Sequence, residues 1–241
     1  TRVPLSRSFH QVAKANGVCL PQGVFAGLTA DLNLIASAPH LLPRWLEMPE
    51  GHRVVGPVYA HLPGEVPEFV SDLAAGPKPL VYFAVGSSGN RDLVLDVLRG
   101  LGRADCQVLA PVRSHLHQED LETLPLNIHV TDWIPTHQLG DAVDLAITHG
   151  GEGTVQTSCV QGWPFIGIPL QFEQRFNVQR CVAFGSARLV SQREARRADW
   201  AELVRQALAD NGMRSRARRM ARLMEGLDGP GRAAEAICEL L

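Results

Sequence analysis

From residue 80 onward, short apolar runs alternate with stretches in which apolar residues recur every three or four positions. The runs cover residues 80–85, 107–112, 127–130, 143–148, 164–168 and 188–190. They are too short for helices and alternate too weakly for strands with one wet face. They therefore predict strands covered on both sides. Between them, residues 92–101 place Leu93, Val94, Val97, Leu98 and Leu101 on one helical face. Further helices are predicted over about 153–161 and over 172–184, the second ended by Gly185, and the chain from about Ala198 reads as helical and basic. Strands alternating with helices imply right-handed βαβ units. The fold class expected is α/β: a Rossmann-like parallel sheet with helices on both faces.

The first sixty residues lack that rhythm. Residues 6–15 suit one amphipathic helix, with Gly17 placed to end it, and residues 32–36 read as a short buried strand. Pro39, Pro43 and Pro49 then break regular structure, and a strand over 53–59 closes on Gly56-Pro57. Pro63, Gly64, Pro67, Gly76, Pro77 and Pro79 follow in a stretch that reads as a linker. The expected division is 1–59 as a partial first domain, 60–79 as linker and 80–241 as the Rossmann-like domain. There is no internal repeat and no low-complexity segment.

Composition narrows the function classes. Apolar residues make up 45% of the 241 and charged residues 20%, the balance of a soluble globular protein. A net charge of -2 does not suit a polyanion partner, so no nucleic acid is expected. No apolar run reaches the ~18 residues that a membrane span needs. Five cysteines, widely spaced and without a C-x-x-C pair, argue against a disulfide framework or zinc site and suggest reduced thiols in the cytoplasm. The opening Thr1-Arg2-Val3-Pro4 has neither Met nor a signal sequence and reads as the middle of a longer chain.

In a doubly wound sheet, ligands sit beyond the carboxyl ends of the strands. The residues delivered there are Gly86-Ser87-Ser88-Gly89, Thr131-Asp132-Trp133, His149-Gly150-Gly151-Glu152-Gly153-Thr154 and Pro169-Leu170-Gln171-Phe172-Glu173-Gln174. The third set carries most information. Its glycines let a ligand approach the backbone, and the helix that begins there points free N–H groups and its dipole at the turn. That makes an anion site. His149 adds a ring donor and Thr154 a hydroxyl. Gln156 stands where a dinucleotide fingerprint needs its third glycine, which disfavours NAD or FAD. Ser87 and Ser88 offer hydroxyls to the same phosphates, Trp133 a face for a base, and Glu173 with Gln174 a pair able to hold vicinal hydroxyls. No metal-ligand cluster is visible.

In this order, the pieces resemble the nucleotide-sugar-binding half of GT-B fold glycosyltransferases, in particular the UDP- and dTDP-sugar transferases acting on small molecules, antibiotics and lipids. The similarity runs from Trp133-Ile134-Pro135 through the His149 turn and Gly162-Trp163-Pro164-Phe165-Ile166-Gly167-Ile168-Pro169 to Glu173-Gln174-Arg175-Phe176-Asn177. It covers about residues 80–190. The resemblance implies that Trp133 stacks on the base. His149, Gly150, Gly151, Gly153 and Thr154 hold the diphosphate, approached also by Ser87 or Ser88. Glu173 and Gln174 bind the sugar, with Asn177 near the donor. It implies transfer of a hexose, with inversion, to a small-molecule or lipid acceptor, and no cofactor. Thr136 and Thr157 replace the family's usual Gln and Glu, so the diphosphate site matches better than the nucleoside site, and UDP and dTDP both stand. Val55-Gly56-Pro57 resembles the junction that ends the family's acceptor domain. None of His10, His40, His52 or His61 matches the context of the family's catalytic base, so the catalytic residue is unassigned.

Three other readings remain open: a nucleotide-sugar epimerase of the same fold, a non-catalytic nucleotide-sugar-binding protein, and a split enzyme. Arg214, Arg216, Arg218, Arg219 and Arg222 read as a solvated helix face rather than a membrane-binding one, because Glu225, Asp228 and Glu235 follow. The last helix and the first segment are expected to expose apolar surface that a homodimer would cover.

Overall fold

The computed structural model describes residues 7–20, 30–43, 46–58, 61 and 63–240. The expected helix start at Ser6 and strand end at Tyr59 lie outside them. Helix α1 (Arg7–Ala15) opens the described chain and Gly17 follows it at φ 65°. Strands β1 (Asn33–Ile35) and β2 (His52–Val54) pair in parallel, with Leu34 opposite Arg53. Between them lies a 3₁₀ turn, Pro39–Leu41. The strand expected over 53–59 thus ends at Val54. The stretch read as linker contains helix α2 (Glu68–Ala75), which buries Val70. The surrounding prolines and glycines masked it, yet Pro67 precedes its first turn, where a missing N–H costs nothing.

Six parallel strands form the main sheet: β3 (Leu80–Ala84), β4 (Gln107–Ala110), β5 (Ile128–Val130), β6 (Leu145–Thr148), β7 (Phe165–Gly167) and β8 (Ala187–Leu189). Their order is β5-β4-β3-β6-β7-β8. The chain lays down β3, moves outward to β5, then crosses back to place β6 on the other side of β3. That reversal makes the β3–β6 boundary a topological switch point.

Every residue of β3 and β6 is buried, as two covered faces require. The pleat divides them between two cores. Val81 and Phe83, with Leu145 and Ile147, meet α3 (Arg91–Leu101) and α8 (Trp200–Ala209) through Leu93, Leu98, Trp200 and Val204. Leu80, Tyr82, Ala84 and Ala146 meet α5 (Glu152–Gln161), α6 (Phe172–Phe184) and α9 (Asn211–Met224) through Val155, Val178 and Met220. Helices therefore cover both faces.

Local chemistry sets the element ends. Asn90 caps α3 by accepting from Leu93 N at 2.9 Å, and Asp120 closes the start of the short helix α4 (Gln118–Glu122) by accepting from His117 N at 2.8 Å. The helical remainder begins with a short helix, α7 (Gln192–Ala195). Past it the chain breaks into α8, α9 and α10 (Gly229–Cys238), because Asp199, Asp210 and Asp228 each cap a new start. The strand expected from residue 143 starts at Leu145. Just before it, the Asp144 carboxylate accepts from Leu80 N at 2.9 Å, a side-chain substitute for a ladder bond.

The first segment is tied to the main domain by α5 and by α10. Gln156, in α5, donates to the Ala36 carbonyl at 2.8 Å. Helix α10 lies against residues 56–57, so closely that a side chain at Gly229 would run into the Pro57 carbonyl, and Arg53 pairs with Glu239. Apolar side chains remain exposed in and just after α1, at Phe9, Val12 and Val18, and at the C-terminal helix, at Ile237 and Leu240.

Candidate functional site

The switch point assembles the site. Ala84 and Thr148 are register partners, so β3 and β6 end side by side and release their turns together. The first turn is Gly86-Ser87-Ser88-Gly89 and the second His149-Gly150-Gly151. Helix α5 starts at once, with Gly151 as its N-cap and Glu152, Gly153 and Thr154 in its first turn. The N–H groups of that turn have no partner within the helix and face the switch point.

His149 is fixed by shape. Its ring lies between two glycines. A Cβ on Gly86 would come within 2.8 Å of the ring, and one on Gly151 within 2.5 Å of Nε2. The side chain is 8% exposed, and its Nδ1 has no hydrogen-bond partner among the described residues. Burial lowers its pKa below the ordinary 6.5; the nearby Ala84 carbonyl opposes that shift in part and the charge of His115 adds to it. His149 is therefore neutral at pH 7 in the free protein, with a ring nitrogen still seeking a partner.

The other predicted residues fall into one connected set around this turn. Asn177 donates to the Gly150 carbonyl at 3.2 Å. Thr154 donates its hydroxyl proton to the Gly151 carbonyl at 2.9 Å, so its backbone N–H, not its hydroxyl, is left to face an anion. Gln174 is 3% exposed. Its Oε1 accepts from Leu170 N at 2.9 Å and Gln171 N at 3.0 Å, and its Nε2 donates to Ser88 Oγ at 3.0 Å. The structure thus places Gln174 as a clip between the two loops, with little reach into solvent. Ser88, accepting that bond, keeps its own proton to donate. Ser87 is exposed.

Glu173 is exposed beside this clip, and partial burial together with the charge of Glu152 raises its carboxyl pKa above the ordinary value. Glu152 in turn accepts from Gln156 at 2.6 Å. Gln156, which in the sequence stands out only as a missing glycine, is 1% exposed and donates to both Glu152 and the Ala36 carbonyl, as a structural amide does. Trp133 belongs to a different set of contacts. It follows β5, stays 48% exposed, and packs against the backbone of Gly64, whose carbonyl accepts from Gln138 at 3.0 Å. A groove of about 710 Å³ beyond β8, around Val190, Arg193 and Leu203, includes none of these residues. No helix among the described residues is long and apolar enough to cross a membrane.

Comparison with known proteins agrees with this fold. The chain is similar to a PGL/p-HBAD biosynthesis glycosyltransferase of Mycobacterium tuberculosis, 29% identical over 191 residues that make up 79% of this chain and 44% of the relative. It is 32% identical to the 4'-demethylrebeccamycin synthase of Lentzea aerocolonigenes over 190 residues, 73% of this chain and 44% of that protein. It thus spans less than half the length of the curated relatives it matches. Among solved structures, the spinosyn rhamnosyltransferase SpnG complexed with thymidine diphosphate superposes with a TM-score of 0.65 at 20% identity, covering 89% of this chain and 56% of that one. Residues 95–240, more than half of the 241, match the family described as erythromycin biosynthesis protein CIII-like, C-terminal domain, and the chain belongs to that family.

Proposed function

We propose that this chain is the donor-binding half of an inverting glycosyltransferase, holding a UDP- or dTDP-sugar whose hexose passes to a small-molecule or lipid acceptor. The observation that carries the reading is the meeting of the Gly86 and His149 turns at the switch point, over the N-terminus of α5. The diphosphate lies against the first-turn N–H groups of α5 and the His149 ring. Ser88 donates to it, and Gly153, with nothing within 4 Å of its missing Cβ, leaves room for it. Trp133 offers its open face to the base and Glu173 its carboxylate to sugar hydroxyls. Gln174 and Asn177 position the two turns. SpnG, which shares the fold, holds thymidine diphosphate.

In the transfer, the acceptor oxygen bonds to the anomeric carbon as the carbon–oxygen bond to the diphosphate breaks. The electron pair leaves on the diphosphate. Helix-end N–H groups and His149, fixed beforehand, stabilise that developing charge. No base that takes the acceptor proton is assigned within this chain.

Calorimetric titration with UDP-glucose and dTDP-glucose tests the reading. His149→Ala is expected to weaken binding by roughly tenfold or more, the worth of a charge-assisted hydrogen bond. Equal affinity of parent and variant would sink it. The pKa of His149 adds a sign. In the free protein it lies below 6.5 and a bound diphosphate raises it. Between those two values binding takes up a proton, so affinity rises as pH falls through that window. Heats measured near pH 6.5 in buffers of different ionisation enthalpy should show uptake of up to about one proton, absent in the alanine variant.

A further inference from the structure

A second cleft, of about 610 Å³, opens where the 3₁₀ turn Pro39–Leu41 faces the C-terminal half of α6 and α9. Its charge has one sign. Arg180 enters from α6 and Arg219 from α9, the His40 ring borders the cleft from the turn, and no carboxylate lines it among the described residues. The remaining wall is apolar, formed by side chains such as Leu42, Phe184 and Leu223.

Both guanidiniums are held by aromatic faces instead of counterions. Arg180 lies over the Phe176 ring, 5.8 Å from its centroid, and Arg219 over Phe184 at 5.9 Å. Neither forms an ion pair among the described residues. Stacking leaves the N–H edges of each guanidinium available. Other arginines of α9 are used differently: Arg214 donates to the Leu208 carbonyl, and Arg216 packs against Gly185. Most of the basic run is solvated, with Arg216, Arg218, Arg219 and Arg222 exposed, and Arg219 also borders the cleft.

Two cations sharing an apolar-walled cleft without an anion repel one another, and an anion placed between them removes that cost. Donors arriving from three separate elements suit a tetrahedral oxyanion better than a planar carboxylate, and the greasy wall suits a hydrocarbon body beside it. We infer that this cleft is a second binding site, for a phosphate carried on an apolar body, whether a lipid headgroup or a soluble phosphorylated compound. It adjoins the donor turn through Arg180, which also lines a small neighbouring cavity with Glu152 and Asn177, but it does not rest on the donor reading.

Octyl phosphate is the probe. Titrated into the full chain by calorimetry, it should bind at least about tenfold more tightly than inorganic phosphate, since the octyl chain buries apolar surface. The double variant Arg180→Gln/Arg219→Gln should lose about tenfold or more of that affinity. Arg180→Lys/Arg219→Lys, which keeps both charges but loses the stacked fork, should bind more tightly than the Gln pair and more weakly than the parent, and serves as the folding control. dTDP-glucose should not displace the probe, and His149→Ala should bind it as the parent does, so failure of the donor site and of this one can be told apart. Sedimentation with phosphatidylcholine vesicles, with and without phosphatidic acid, separates the two sources. Arginine-dependent binding to the acidic vesicles identifies a headgroup, and binding of octyl phosphate alone identifies a soluble ligand. Octyl phosphate that fails to bind, binds no better than inorganic phosphate, or binds the Gln pair undiminished would overturn the proposal.

Discussion

Replacing Gly150 with alanine is expected to abolish measurable donor binding and to lower the melting temperature by on the order of 10 °C. Gly150 sits at φ 85°, in the left-handed region. A β-carbon there costs roughly 1–2 kcal/mol in backbone strain. It would also meet Val178 Cγ2 at 2.5 Å and the Gln174 carbonyl oxygen at 2.8 Å. The first contact can relax by a rotamer change. The second cannot relax cheaply, because that carbonyl belongs to the first turns of α6. Overpacking of this kind adds about 1–3 kcal/mol. The turn must then move away from α6, breaking the Asn177 bond to the Gly150 carbonyl and lifting His149 from its slot. Gly153→Ala is the informative contrast. Nothing lies within 4 Å of the added carbon, and alanine favours a helix over glycine by up to ~1 kcal/mol. That variant should melt no lower than the parent yet bind donor more weakly, because its methyl group occupies the space given to the diphosphate. Thermal melts and titrations of the two variants together separate a glycine required by the fold from one required by the ligand. Gly153→Ala binding donor at full strength would remove Gly153 from the site.

Much of this arrangement is legible in the chain because local rules agree with one another. Residues 172–184 read as a helix ending at Gly185, and that is where α6 lies. The four inner strand runs appear because each is almost wholly apolar, so period-2 patterning is not needed to find them, whereas the edge strands β5 and β8 carry His129 and Arg188 and are only partly buried. Other features depend on partners distant in sequence. Strand order is not written in any one run: nothing in residues 143–148 says that they pair with β3 instead of extending the sheet beyond β5. Helix α2 hides among prolines whose positions are compatible with a helix start. The role of Gln174 looks like sugar binding when read beside Glu173, because sequence spacing cannot show which of two adjacent side chains turns inward. Helical geometry sends them about 100° apart. One therefore reaches solvent while the other fills the gap between two loops. Gln156 was the same kind of case, a polar residue whose partner, Ala36, lies 120 positions away.

Gln174→Leu carries the second large effect, and it tests that distinction directly. Leucine keeps most of the buried volume and removes the amide. The N–H groups of Leu170 and Gln171 lose their acceptor and Ser88 loses its donor. Each unsatisfied buried group costs about 1–3 kcal/mol, reduced here because Gln171 is exposed and water can reach its N–H. The expected loss is about 2–4 kcal/mol by chemical denaturation with an unchanged m-value. Donor affinity should fall as well, since the Ser88 turn is no longer tied to α6. Gln174→Glu should behave otherwise. A glutamate at the third position of a helix can accept the same two backbone bonds, as in a capping box, and its negative charge suits a helix N-terminus. Ser88 can turn its own proton toward the carboxylate. Stability should therefore stay near that of the parent at neutral pH. Donor binding should still drop, because the new charge stands beside Glu173 and close to the place of the diphosphate. A residue whose only task was to hold sugar hydroxyls would give the opposite result for leucine: weaker donor binding on an unchanged fold. The leucine variant therefore decides whether Gln174 touches the sugar or builds the place where the sugar sits.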